Sequence, residues 1–396
     1  MTKKIKLIFL INEISDGGAE TLVKDYVLNL DKNSFDVSVV TDMRSDVYSA
    51  NYHFLKEKKI KIYCPFLNIY DNTWVKKIIS RLIQILLFHI PEKWKEKYQF
   101  WYIRHKIKKI NPDVIHAHLI VLKYLASCSK RLRNVKLFYT CHSLPYRYFN
   151  TSERKDDLNA AKCLIKNNSL TLVALHGDMQ NELNKLFNID STIVIHNGVD
   201  LKRFYNVKRN ESKDRLRKKN HIPSGAFVIG NIGRFIWIKN HKFIIDVFIE
   251  ISKKKPNSFL LMIGNGYTSE IIQKLESNGL SGRYLILSNS RDIPELLLCM
   301  DVFLFPSLFE GFPLACIEAQ AMDLKCCISD TINRDVFLGH NAIPISLSDS
   351  AEQWTQKILD DKIQGPYNGN IEEFDIQTIV KKLSTLYRQK VSLPNA

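Results

Sequence analysis

Glu310 and Glu318 stand eight positions apart in "FEGFPLACIE", with a Gly-Phe-Pro turn between them. The stretch follows an apolar run, "DVFLFP", and leads into helical patterning. Pro313 is expected at the first helical position, where its missing N–H is not needed. The free amides and dipole of such an N-terminus attract anions. A glutamate early in a helix can simply compensate that dipole. Two carboxylates around a glycine turn can instead hold hydroxyls beside a bound phosphate. Ligands of α/β proteins gather at the carboxyl ends of buried strands, which favours the second reading. "GRFIWIKNH" adds Arg234 and Lys239 after another apolar run. They are either solvated surface charges or two fixed cations able to neutralise a diphosphate.

Two weaker constellations lie in the first half. In "DGGAE", Gly17 and Gly18 permit close backbone approach to a ligand at a strand-to-helix turn. The spacing is not GxGxxG, so a dinucleotide site is poorly supported. In "DVIHAH", alternation puts His116 and His118 on one face at a strand end. Each is a satisfied core histidine or a ligand contact. A zinc site would need further ligands that the sequence does not provide.

The elements that must position these residues are legible as a repeated plan. Short Val/Ile/Leu/Phe runs alternate with helical patterns, which argues for parallel sheets covered by helices on both faces. The first half offers "KLIFLI", "DVSVVT", "DVIHAH", "KLFYT", "LTLVAL" and "STIVIH"; the second offers "FVIGNIG", "FLLMIG", "YLILS" and "DVFLFP". Ala19, Leu22, Val23, Tyr26, Val27 and Leu30 form one face of a helix after the first strand. "KLIFLINEISDGGAE" and "AFVIGNIGRFIWIKNH" each read as strand, glycine turn and helix. Two Rossmann-like halves are predicted, with a boundary near "HNGVD" at 196–200. The charged run at 206–221 is expected as an exposed loop and helix. "QGPYNGN" at 364–370 reads as a loop, and Ile376, Ile379, Val380, Leu383 and Tyr387 mark a last amphipathic helix.

The bulk properties agree with this plan. A chain of 396 residues is long for a single core. Its 45% hydrophobic and 25% charged content is ordinary, but its net charge of +16 points to anionic partners. None of the eight cysteines forms a CxxC pair, so buried reduced thiols are expected. "MTKKIKLIFLINE" imitates a signal peptide, but Asn12 and Glu13 follow where a small-residue cleavage site should stand. No run reaches the roughly 18 apolar residues of a membrane span. A cytoplasmic protein is expected.

Taken in order, "GGAE", the HxH of "DVIHAH", "NGVD…F" at 197–204, "GR…KNH", "DIPELLLCMDVFLFPS" and the E-x7-E of "EGFPLACIEAQA" resemble glycosyltransferase family 4. The likeness is weakest between about 45 and 110. It implies an α/β GT-B fold: two facing Rossmann-like domains with a cleft between them and a C-terminal helix returning to the first. The expected divisions are 1–198 for the acceptor side, 199–372 for nucleotide-sugar binding and 373–396 for the returning helix. By this resemblance Glu318 would accept hydrogen bonds from ribose hydroxyls and Glu310 would hold donor-sugar hydroxyls. The amides of Gly311, Phe312 and Leu314, with Arg234 and Lys239, would face the diphosphate. His118 would contact the donor sugar from the opposite domain, Gly17 and Gly18 would line the cleft, and Ser290 and Ile293 would lie at the nucleotide. No metal and no cofactor is implied; the nucleotide-sugar, a UDP-sugar in expectation, is a substrate. The sequence departs from the family pattern at Ser288, at Asp323, Leu324 and Lys325, and at His176. Ser288 lies near the expected base pocket, which leaves base preference open.

Trp74 to Lys109 carries ten Lys/Arg and two Glu, half the net charge of the chain, with Trp94, Tyr98, Trp101 and Tyr102 interleaved. It reads either as an amphipathic surface for anionic membrane or as an ordinary helix pair packed on the first domain. No motif supports nucleic acid. The combined expectation is a retaining transferase that moves a sugar to a saccharide or lipid-linked acceptor in bacterial surface polysaccharide synthesis, peripheral at the inner face of the membrane. A nucleotide-sugar 2-epimerase of the same architecture and a non-catalytic nucleotide-sugar-binding subunit are the alternatives.

Overall fold

The computed structural model describes residues 3–43, 49–65, 91–151, 154–288 and 292–392. Ser290 and residues 74–90 of the basic segment lie outside them. The chain divides into two compact units, Met1–His196 with Ile379–Ala396, and Asn197–Thr378.

Among the described residues, the first unit holds a parallel sheet ordered β3-β2-β1-β4-β5-β6-β7. Its strands are β1 Ile5–Ile11, β2 Phe35–Thr41, β3 Lys61–Tyr63, β4 Val114–His118, β5 Lys136–Thr140, β6 Thr171–Ala174 and β7 Ile193–Val194. The second unit holds β8 Phe227–Ile232, β9 Ser258–Ile263, β10 Tyr284–Leu287, β11 Val302–Phe305, β12 Lys325–Ser329 and β13 Ala342–Ile345, ordered β10-β9-β8-β11-β12-β13. All pairings are parallel. The long apolar runs follow from this, because helices cover both faces. Leu7 to Ile11 are completely buried. So is the core around Ile229, Phe248, Leu260, Leu304 and Trp354. The fold is α/β with two Rossmann-like units, as predicted.

Several local expectations are corrected. β3, β12 and β13 were not anticipated. Pro313 is the N-cap of helix Leu314–Ala321 rather than its first residue, with an extended backbone (φ −76°, ψ 106°). The 206–221 run is mostly exposed, as expected, but it is helical on both sides of a short link and is anchored at Arg217. It spans helices Leu201–Asn210 and Lys213–Lys219, and Arg217 is buried. The Arg217 guanidinium donates to the Cys299 carbonyl (2.9 Å), the Ala226 carbonyl (3.0 Å) and Asp301 Oδ2 (2.7 Å). Asp301 also accepts from Lys213 (2.6 Å) and the Val228 amide (2.7 Å). Burial would raise the Asp301 carboxyl, but these donors outweigh it and hold it below its ordinary value. All eight cysteines are free thiols; Cys64 and Cys163 are only half-buried.

Helix Ile376–Ser392 belongs to the first unit from Ile379 onward. Its Tyr387 is fully buried beside Phe138, with 5.4 Å between ring centroids. The Tyr387 hydroxyl lies 2.6 Å from His116 Nδ1, while His116 Nε2 lies 2.7 Å from Thr140 Oγ1. Burial and neighbouring His142 push His116 down to about 3, and burial pushes His142 to about 4. His118 is likewise held well below its ordinary value by burial and by both neighbours.

Depressed histidine values make stability pH-dependent with a definite sign. The unfolded rings take up protons near pH 6.5, while the folded rings refuse them until far lower. Their contribution is therefore complete above about pH 6.5 and falls by about 1.4 kcal/mol per pH unit per ring on acidification. Thermal melts are expected to hold steady from pH 7.5 to 6.5 and then drop down to pH 4.5. A flat melting temperature over the lower range would mean that these rings titrate freely in the folded protein.

Candidate active site

The second sheet's carboxyl edge gathers most of the predicted residues. β8 ends at Ile232, and Gly233 and Arg234 follow directly. The turn is tight: a Cβ on Gly264 would lie 1.9 Å from the Gly233 carbonyl oxygen, so only glycine fits there. Arg234 is exposed and forms no ion pair among the described residues. A 3-10 turn, Trp237–Lys239, carries the chain to Asn240, whose left-handed backbone (φ 55°) opens helix His241–Lys254. The Lys239 stem runs back along Gly233, where an added methyl would sit 3.2 Å from its Cδ and Cε.

The end of β11 and the loop after it are held from several sides. The Asn231 side chain donates to the Leu304 carbonyl (2.8 Å), and Asn240 donates to that of Pro306 (3.3 Å). Ser329 (2.6 Å) and Thr331 (3.2 Å) donate to the Ser307 carbonyl. The Leu308 amide donates to the Ile238 carbonyl (2.9 Å), which fastens this loop to the 3-10 turn. Asn197 donates to the Phe312 carbonyl (3.3 Å), and the Phe312 ring stacks on Phe374 at 5.6 Å.

This framework brings Lys239 and Glu310 together. Lys239 Nζ lies 2.6 Å from Glu310 Oε1, the two side chains being 15% and 16% exposed. The ammonium also sits over the Phe305 ring, 4.7 Å from its centroid. Glu318 is half-buried in helix Leu314–Ala321. Cys316 is fully buried in the same helix; burial and Cys326 push its thiol well up, and the charges of Lys239, Glu310 and Glu318 act on it to a lesser degree. Gly311 and Phe312 are buried, and Leu314 is the first helical residue. Ile293 opens helix Ile293–Leu298 and is half-buried. His241, next to Asn240, was not singled out from sequence. Burial and Lys239 push it down to about 4; its Nε2 has no hydrogen-bond partner among the described residues.

Residues 16–203 match Glycosyltransferase Family 4, and residues 212–360 match Glycosyl transferases group 1. The chain belongs to glycosyltransferase family 4. Among its relatives, the putative glycosyltransferase EpsF of Bacillus subtilis is 26% identical over 361 residues, covering 89% of this chain and 86% of EpsF. The UDP-Gal:alpha-D-GlcNAc-diphosphoundecaprenol alpha-1,3-galactosyltransferase of Escherichia coli is 29% identical, covering 71% of this chain and 76% of that protein. Crystal structures agree on the fold. HepE of Anabaena, solved with UDP-glucose, superposes with a TM-score of 0.73 at 17% identity, covering 97% of this chain and 100% of HepE. WaaG, a lipopolysaccharide glycosyltransferase, gives 0.66 at 13% identity, with 98% and 94% covered. The architecture is GT-B.

In the first unit of this glycosyltransferase, Gly17 and Gly18 follow the carboxyl end of β1 and His118 ends β4. Gly17 caps helix Gly18–Asn29, and an added Cβ would strike the Glu20 carboxylate at 2.3 Å. His118 is fully buried, with its ring 4.3 Å from that of His116 and its Nδ1 2.9 Å from His142 Nε2. His118 Nε2 has no partner among the described residues. His142 was missed from sequence; its place at the end of β5 was the available signal. Asp16 acts as a structural cap. Its carboxylate accepts from Ser49 Oγ (2.8 Å) and from the Ala50 and Asn51 amides (3.1 Å each), at the start of helix Ala50–Glu57.

The ion pair makes a direct prediction. Glu310→Gln releases Lys239 from its carboxylate, so inorganic pyrophosphate should bind that variant more tightly than wild type, and Lys239→Ala more weakly. Calorimetry giving the reverse order would place Lys239 outside any anion site.

Proposed function

We propose that this enzyme is a retaining transferase that moves a sugar from a UDP-sugar to a lipid-linked saccharide in bacterial surface polysaccharide synthesis. The observation that carries the reading is the Lys239–Glu310 pair, half-buried at the carboxyl edge of the second sheet beside the start of helix Leu314–Ala321. A diphosphate offers Lys239 a stronger partner, and the released Glu310 carboxylate then accepts from donor-sugar hydroxyls. Arg234 and the amides of Gly311, Phe312 and Leu314 complete the diphosphate cradle, Glu318 takes the ribose hydroxyls, and Ile293 is assigned to the nucleotide. His118, Gly17 and Gly18 are assigned to the sugar side. The UDP-glucose bound by HepE and the diphosphoundecaprenol substrate named for the E. coli relative support these substrate classes.

In the reaction, the bond from the anomeric carbon to the diphosphate oxygen breaks and a bond to the acceptor oxygen forms on the same face. The acceptor hydroxyl's proton passes to the departing diphosphate. Negative charge grows on that leaving group, so Lys239 and Arg234 gain most in the transition state. Neither protein group needs to change protonation.

The basic segment fits the lipid-linked acceptor. Helix Glu92–Ile110 places Trp94, Lys97, Trp101, Arg104 and Lys108 at helical spacing, all exposed. Trp94 is 64% and Trp101 56% exposed, and Tyr98 stacks on Trp101 at 5.7 Å. Alternating cations and indoles on one exposed face suit an anionic membrane interface. No helix among the described residues is long and apolar enough to cross a membrane.

Two experiments test the proposal. In a panel of nucleotide-sugars read by release of nucleoside diphosphate, Arg234→Ala and Lys239→Ala should each lower turnover by about a hundredfold or more. Near-normal turnover in both would remove them from the site. Wild type should co-sediment with anionic vesicles and less with neutral ones, and Lys97, Arg104 and Lys108 reversed to Glu should release most of it at about 1 kcal/mol per charge. Binding that ignores lipid charge and these reversals would leave this helix as ordinary packing.

A further inference from the structure

An aromatic surface borders the Lys239–Glu310 pair and has no role in the donor chemistry described above. Trp237, two residues before Lys239, is 68% exposed, and Ile236 beside it is also exposed. Phe309, the residue before Glu310, meets the indole edge-on, with centroids 5.5 Å apart and planes at 68°. Exposed Tyr267 follows Gly266, which bridges to Phe235, and the Phe235 amide donates to the Asn265 carbonyl (2.8 Å). The loops carrying Trp237, Phe309 and Tyr267 are thus tied to one another through backbone hydrogen bonds.

Leaving an indole this exposed on a braced turn forfeits the burial that usually accompanies tryptophan. Exposed apolar clusters rimmed by polar groups mark binding surfaces. The position of this cluster beside the pair indicates which ligand part belongs here. The half-buried pair is suited to the diphosphate and the donor sugar. Exposed Trp237 and half-buried Phe309 stand two residues and one residue from that pair in the chain, and a second substrate must come in from solvent to reach the donor's anomeric carbon. A pyranose presents an apolar face of ring C–H groups that an indole face can cover, while its hydroxyls remain free for water and for polar neighbours.

We propose that Trp237, braced by Phe309, is a stacking platform for a pyranose ring of the acceptor saccharide. This assignment rests on the transferase reading and adds an acceptor contact to the second unit, which that reading gives only the donor.

Initial rates with a UDP-sugar and a short-chain lipid diphosphate bearing N-acetylglucosamine test it. Trp237→Ala should raise the acceptor KM about tenfold, the scale of one lost aromatic contact. The UDP-sugar KM and kcat should stay within about twofold, and Trp237→Phe should recover most of the acceptor KM. The substitution is at an exposed side chain, so an unchanged melting temperature is expected alongside. An unaltered acceptor KM in Trp237→Ala would overturn the platform while leaving the transferase intact. A parallel rise in the UDP-sugar KM would reassign the indole to the donor and equally overturn it. Wild type that transfers from no donor would overturn the transferase reading and this assignment together.

Discussion

The end of β11 and the loop after it depend on one constraint: their backbone carbonyls are withdrawn from water and must each find a donor. Leu304, Pro306, Ser307 and Phe312 find theirs in the side chains of Asn231, Asn240, Ser329, Thr331 and Asn197. Each such bond contributes only about 1 kcal/mol net, but leaving a buried acceptor unmade costs about 1–3 kcal/mol. The loop therefore has one low-energy path, fixed by segments from 197 to 331. Glu310 and the start of helix Leu314–Ala321 take their positions from it. The Leu308 amide extends the same constraint to the turn bearing Lys239.

The first unit solves a related problem with neutral rings. His116, His118 and His142 lie where a charge would be poorly solvated, so burial keeps them unprotonated. His116 then needs hydroxyl partners at both nitrogens, and Tyr387 supplies one of them from a helix 271 residues later. The end of the chain thereby becomes part of the support for the strand that carries His118. Arg388, one residue on, donates to Ser34 Oγ at 2.8 Å and anchors the same helix to the edge of β2.

What the sequence made legible follows from what each feature depends on. Strands buried on both faces announce themselves as apolar runs, so β1, β4, β8, β9 and β11 could be read directly. β13 contains Pro344, which is tolerated because the strand lies at the sheet edge, and β12 begins with Lys325, whose ammonium caps the Ile358 and Asp360 carbonyls. Neither reads as a buried strand in isolation. Arg217 looked like one more solvated cation in a charged run, because its partners Cys299, Ala226 and Asp301 lie in other elements. The residue types at the candidate site were visible at their spacing. Their pairing was not, since Lys239 and Glu310 are 71 positions apart and meet only through the fold.

That pairing bears on how a nucleotide-sugar would be read as a whole. Neither charge is exposed enough for water to solvate it fully, so each serves as the other's counter-ion. A ligand offering only phosphate satisfies Lys239 but leaves the carboxylate without its cation. A ligand offering only hydroxyls approaches Glu310 while the lysine still holds it. A sugar joined to a diphosphate answers both groups at once, and the two ends of the pair become two ends of one substrate. On the proposed reading, discrimination between the intact donor and its separate parts comes from this exchange of partners rather than from added contact area. A buried ion pair adds little to stability, and on that reading its value lies in holding both groups in place until one ligand replaces both partners.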